Sequence, residues 1–113
     1  IGESIVLPVE VRDGSVKLDG KPLNIVANGA APGAAQLFVR RHDMQIGPAG
    51  SGSLDGSVQH VRTFGPIQRA EVALSGGEGK TVIEIDAPRD RELQAGDTIG
   101  LQPRRYRIFA AQE

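Results

Sequence analysis

Seven side chains hold most of the chemistry available to this chain. Arg40, Arg41, His42 and Asp43 form one run, and Arg104, Arg105 and Arg107 lie near the other end. Guanidinium groups present forks of N–H donors that suit an oxyanion, a partner carboxylate or a backbone carbonyl. Taken singly, each arginine reads as part of a solvated rim, with Asp43 and Asp97 as local partners, and exposed ion pairs contribute little. Taken together, the set reads as a surface where two strand ends meet and contact another protein, because arginine is enriched at interfaces. Catalysis is not expected. The chain has two histidines, His42 and His60, and no cysteine. His42 and Asp43 are adjacent, so an extended backbone turns them to opposite faces and no hydrogen-bonded dyad forms without a turn. No serine sits in a strained elbow motif, and neither histidine has a second at metal-ligand spacing. No catalytic, metal-binding or cofactor-binding residue is therefore assigned.

The first cluster rides on the stretch Leu37-Phe-Val-Arg-Arg-His-Asp-Met-Gln-Ile46. Leu37 and Val39 share one face of an extended segment; Phe38 and Arg40 share the other. Before it, Ile5, Leu7, Val9 and Val11 alternate with polar positions, the pattern of a half-buried strand. Pro8 cannot donate to a ladder, so this strand is expected at an edge or with a bulge. Asp13-Gly14 and Asp19-Gly20 are hairpin turn signals and make the strands around them antiparallel. Residues Asn28 to Ala35 and Gly47 to Gly56 read as two loops of small residues.

Further on, Val58 and Val61 share a face only if the strand Gly56–Phe64 carries a bulge near Gln59-His60. Gly65-Pro66 turns the chain, and Ala70, Val72 and Leu74 return on one face. Ser75 to Thr81 looks superficially like a phosphate loop. The position that must be glycine is Leu74, however, and the β-rich run Val82-Ile-Glu-Ile85 follows where a helix is required. A glycine-rich hairpin turn is the better reading. Between Asp86 and Gln94 one short helical turn is expected. Gly96-Asp97 then opens a last strand pair, with Ile99 and Leu101 inward and a turn at Pro103-Arg104-Arg105.

The length of 113 residues suits one domain, residues 1–113. With 15 Gly, 7 Pro and 4% aromatics, short strands and many turns are favoured, about eight or nine antiparallel strands in an all-β fold. The formal charge of −1 gives no bulk field for nucleic acid or an anionic membrane. No apolar run is long enough to span a bilayer as a helix. Without cysteine there are no disulfides and no thiolate metal sites, which is compatible with a cytoplasmic protein.

Three segments together resemble a known family. Phe38, Val39, Arg40, His42 and Asp43 match the Phe-Val-Arg-Pro-His-Asp segment of the C-terminal domain of sulfate/thiosulfate-import ABC transporter ATPases, in the transport-associated OB-like (TOBE) group. Arg41 replaces the proline, which frees φ and adds a positive charge. Leu93, Gly96, Asp97, Leu101, Pro103, Arg104, Arg105, Arg107 and Phe109 match the closing segment of that domain. The opening Ile1-Gly-Glu-Ser4 resembles its entry segment, so the chain reads as a fragment cut just after an ATPase domain.

The resemblance implies one or two small OB-like barrels and a non-catalytic regulatory or dimerisation domain of an importer's ATP-binding subunit. ATP and Mg would then belong to a preceding N-terminal ATPase domain. The implied partners are that ATPase domain, a second copy of the subunit and the membrane permease subunits. The implied place is the cytoplasmic face of the bacterial inner membrane. Two other classes remain open: a stand-alone binder of molybdate-type oxyanions, and a single-stranded nucleic-acid barrel. The second would need aromatic platforms on a basic groove, for which 3 Phe, 1 Tyr and no Trp are a poor supply.

Overall fold

The computed structural model describes residues 4–75 and 81–111. Ten strands run in order: β1 (Ser4–Arg12), β2 (Ser15–Leu18), β3 (Lys21–Val26), β4 (Gly33–Arg40), β5 (Met44–Pro48), β6 (Leu54–Phe64), β7 (Ile67–Leu74), β8 (Val82–Pro88), β9 (Thr98–Pro103) and β10 (Arg107–Ala110). A 3-10 turn, Arg41–Asp43, separates β4 from β5. The all-β reading holds, with one or two more strands than expected; the stretch Leu37–Ile46 is divided by the 3-10 turn into the end of β4 and the start of β5.

The strands form two antiparallel sheets of five. The first has the order β10-β4-β1-β2-β3 and the second β5-β9-β6-β7-β8. Alternation explains the first sheet. Ile5, Leu7, Val9 and Val11 pair across to Val39, Leu37, Ala35 and Gly33, and all but Gly33 are buried on the inner face. Asp13-Gly14 and Asp19-Gly20 have φ of 54°, 78°, 51° and 79°. Both central residues are left-handed, as a two-residue hairpin matched to strand twist requires. In the second sheet the β6–β7 register shifts between Val58 and His60, the expected bulge. Val58 is thereby buried, and Val61 packs half-buried against the core. Residues from both sheets, among them Leu7, Leu37, Ile85 and Leu101, belong to one aliphatic core.

Four expectations need correction. Pro8 is not on an edge strand, since β1 lies between β4 and β2. The β1–β2 ladder covers only Glu10–Arg12, however, so that flank of β1 is open at Pro8 and the missing donor costs nothing there. Gly33–Ala35 belong to β4, and Gly47-Pro48 and Leu54–Gly56 to β5 and β6, so both small-residue loops are shorter than the composition suggested. Small residues extend readily when a neighbour supplies the ladder. No helical turn forms in 86–94; β8 runs to Pro88, and a tight turn follows in which Arg91 N donates to Pro88 O at 3.3 Å. β9 and β10 are not a pair, because β10 crosses to the first sheet and pairs with β4.

The two antiparallel sheets are consistent with the expected OB-like class, and among the described residues no backbone ladder joins the edges of either sheet. The first sheet is instead bridged by a side chain. Tyr106, just before edge strand β10, accepts from Val26 N at 3.2 Å and donates to Val26 O at 2.9 Å, at the end of the opposite edge strand β3. The expected hairpin turn at 75–81 falls largely on residues outside those described, as does the opening Ile1–Glu3. The strands flanking the former pair as a hairpin would, from Ala73 opposite Val82 to Ile67 opposite Pro88.

Candidate interaction site

Register assembles the site. β5 pairs with β9 from Met44 opposite Pro103 to Pro48 opposite Ile99. One step beyond Met44 and Pro103, the Arg104 backbone N–H therefore meets Asp43 and donates to its carbonyl at 2.9 Å. The two sequence-distant clusters are thus brought together by one strand pair. The Arg104 guanidinium donates to Gln45 Oε1 at 2.6 Å. His42 lies in the 3-10 turn with Nε2 3.7 Å from Asp43 Oδ2. The turn brings the adjacent pair onto one side, yet the distance is too long for a hydrogen bond.

The seven residues do not share one site. His42, Asp43, Arg104 and Arg105 line one cleft of about 410 Å³ between the 3-10 turn, the β9–β10 turn and the end of β8. Arg105 and Arg107 also line a second cleft of about 440 Å³ beside Tyr106, Phe38 and Phe109. Arg41 turns the other way, donating to Glu84 Oε1 on β8 at 3.2 Å. Arg62 donates to the other oxygen of Glu84, also at 3.2 Å. Arg40, the exposed last residue of β4, lines none of these clefts. Asp97 is no partner of the arginines; its carboxylate accepts from Gln94 N at 2.9 Å and caps the turn before β9.

Sequence reasoning missed Arg91, Gln68 and the aromatic pair. Arg91 lines the 410 Å³ cleft and a neighbouring one of about 430 Å³ that also contains Arg104. Its backbone is held by Gln68, whose buried side-chain amide donates to the carbonyls of Pro88, at 3.0 Å, and of Arg91. An isolated glutamine in an otherwise alternating strand, inward at position 68, was the available signal. Phe38 and Phe109 stack edge to face with centroids 5.4 Å apart. Cross-strand pairing sets Val6 beside Phe38 and Phe38 beside Arg107. Val6 and Phe109 are 43% and 52% exposed, so the outer face of the first sheet presents an apolar patch edged by an arginine.

Among the described residues no three His, Asp or Glu side chains gather as a metal site needs. No helix among them is long and apolar enough to cross a membrane.

Comparison with known proteins adds sequence-level neighbours. Residues 48–104 match the family model of a TOBE-like domain, a span that covers β6 to β9 of the second sheet and only the last residue of β5. The chain is 67% identical over 110 residues to a sulfate/thiosulfate import ATP-binding protein of Bradyrhizobium diazoefficiens, covering 97% of this chain and 31% of that protein. It is 61% identical to the protein of the same name from Rhodopseudomonas palustris, covering 97% of this chain and 32% of that one. A more distant relative of that name, from Mesorhizobium japonicum, is 33% identical over 98% of this chain and 32% of its own length. The chain thus spans about a third of the length of the curated relatives it matches.

Proposed function

The chain belongs to the TOBE-like domain family, and from that premise we propose that it is the non-catalytic regulatory and dimerisation domain of the ATP-binding subunit of a sulfate/thiosulfate ABC importer. The observation that carries this reading is the 67% identity, sustained over 97% of the chain, to a protein named for that role of which it spans 31%. In this reading ATP and Mg bind an ATPase domain elsewhere in the subunit. The chain works beside that domain and the permease subunits, at the cytoplasmic face of the inner membrane.

The second copy of the subunit would dock on the outer face of the first sheet. Phe38, Phe109 and Val6 supply apolar area, and Arg107 supplies a cation at its border. Aromatic and arginine side chains of this kind dominate interface energetics. The reading is tested by assaying ATP hydrolysis by the 113-residue chain and by the longer gene product that encodes it. Hydrolysis confined to the longer product supports the assignment. Turnover by the chain alone, or a reading frame with no phosphate-binding loop, contradicts it.

A further inference from the structure

We propose that the cleft between the start of β1 and the start of β8 receives an extended peptide segment of another protein as an added strand, apolar at alternate positions and acidic at one end. In an antiparallel ladder each residue turns both backbone groups to one side, and successive residues alternate. Leu74 N donates to Thr81 O at 2.8 Å. On β8, therefore, Thr81, Ile83 and Ile85 serve β7, and the backbone groups of Val82, Glu84 and Asp86 face outward. On β1 the two-residue turn at Asp13-Gly14 makes Arg12 and Ser15 a bonded pair. Ser4 and Val6 turn to the same side as Arg12, yet the ladder with β2 ends at Glu10. The N–H and C=O groups of Ser4, Val6, Val82 and Glu84 thus have no partner among the described residues. Residues 4–6 and 81–84, with Arg41, line one cleft of about 250 Å³.

Two open edges at one cleft specify the occupant. An extended chain repeats donors and acceptors at the strand spacing, which is how strand addition recognises a peptide. The cleft is smaller than the roughly 300–1,000 Å³ of small-molecule sites, a size that suits a strip of backbone. Val6 and Val82, 43% and 50% exposed, border it and suit apolar side chains at alternate positions. The other outer edges are guarded in the usual ways: β3 carries Pro22 and a register shift, β5 ends in Pro48 and β10 has 4 residues. β8 has 7 residues, with proline only at its far end. Charge completes the description of the segment. Glu84 is shared by Arg41 and Arg62. Arg40, opposite Ser4 in the β1–β4 ladder, has no carboxylate partner among the described residues. Even with Glu71, the cross-strand neighbour of Glu84, three guanidiniums meet two carboxylates, and an acidic residue on the segment balances the surplus.

The proposal goes beyond the regulatory reading and does not rest on it. Two acetylated and amidated peptides, Glu-Val-Thr-Val-Thr-Val and its reverse, cover both strand directions. Each is titrated into the 113-residue chain while backbone amide chemical shifts are followed. Saturable shifts at residues 4–6, 41 and 81–86 with at least one peptide are expected. N-methylation of alternate peptide bonds, which removes donors from the added strand, should weaken that binding at least about tenfold. Val82→Pro should weaken it about as much, because proline removes an outward N–H and leaves the β7 ladder intact. Val82→Thr keeps that N–H and should bind as the native chain does. Lysine in place of the peptide's glutamate should weaken binding about threefold, the scale of one exposed ion pair. The N-methylated peptide decides the matter if Val82→Pro fails to fold. No saturable shifts, shifts centred elsewhere, or equal binding of the N-methylated or lysine peptide would overturn the proposal. Shifts at the same residues that depend on protein concentration without peptide would place a second copy of this chain in the cleft and overturn it as well.

Discussion

The hydroxyl of Tyr106 makes both hydrogen bonds of a ladder step with the backbone of Val26, accepting at 3.2 Å and donating at 2.9 Å. The two residues are at opposite edges of the first sheet, one preceding β10 and the other ending β3. A side chain thus bridges edges that no strand pair joins. It also anchors the segment that carries Arg104, Arg105 and Arg107.

Tyr106→Phe should therefore cost about 1 kcal/mol, because two exposed hydrogen bonds are lost while water can take up the freed Val26 backbone groups. Urea unfolding measures the cost. Amide hydrogen exchange at Val26 should accelerate in the variant; unaltered exchange there would mean that the bridge is not formed in solution.

Glu84 binds Arg41 with one oxygen and Arg62 with the other. It ties the 3-10 turn to β8 and so links the two sheets. Both arginines and the carboxylate are partly solvated, so Glu84→Gln should lower stability by only about 1 kcal/mol or less. The deficit should shrink in high salt, where the wild-type pair is screened. Thermal melts across a sodium chloride series check the sign.

Gly100 faces β5 so closely that an added Cβ would strike the Pro48 carbonyl oxygen. Backbone cannot yield as a flexible side chain can. Gly100→Ala should destabilise the second sheet by about 1–3 kcal/mol and loosen the β5–β9 pairing that seats Arg104. A melting temperature equal to that of the wild type would show that β5 approaches less closely than described.

Gln68→Leu should preserve volume but leave the carbonyls of Pro88 and Arg91 without their buried donor. The expected cost is about 1–3 kcal/mol, since a lost partner leaves an uncompensated polar group. Amide shifts of residues 88–92 should move while those of the first sheet stay in place, and shifts spread evenly over both sheets would contradict the local role.

Much of the architecture was legible because strand alternation has only one other partner, the turn, to satisfy. Ile5–Val11 and the two Asp-Gly turns fix a hairpin with nothing else required. The bulge at Val58–His60 followed from two valines that needed one face. Connectivity was not legible: nothing in Arg107–Ala110 says that it leaves β9 and pairs with β4 in the other sheet. The arginine groups were identified, but their division was not. Arg41 turns toward Glu84 and Arg104 toward Gln45 because of a 3-10 turn between β4 and β5, and an Arg-Arg-His-Asp run does not encode that turn by periodicity. Arg91 escaped notice because its setting depends on Gln68, more than twenty positions earlier in the chain.

The apolar patch of Phe38, Phe109 and Val6 gives the dimerisation role its most exposed test. Sedimentation equilibrium of the full subunit proposed above, at micromolar concentration and without nucleotide, compares the native protein with Phe109→Glu and with a form lacking residues 4–111. The account predicts a dimer for the native subunit and a monomer for the truncated form, with at least about tenfold weaker association for Phe109→Glu, as loss of an interface anchor implies. A native subunit that is monomeric, or a truncated one that dimerises equally well, would contradict it.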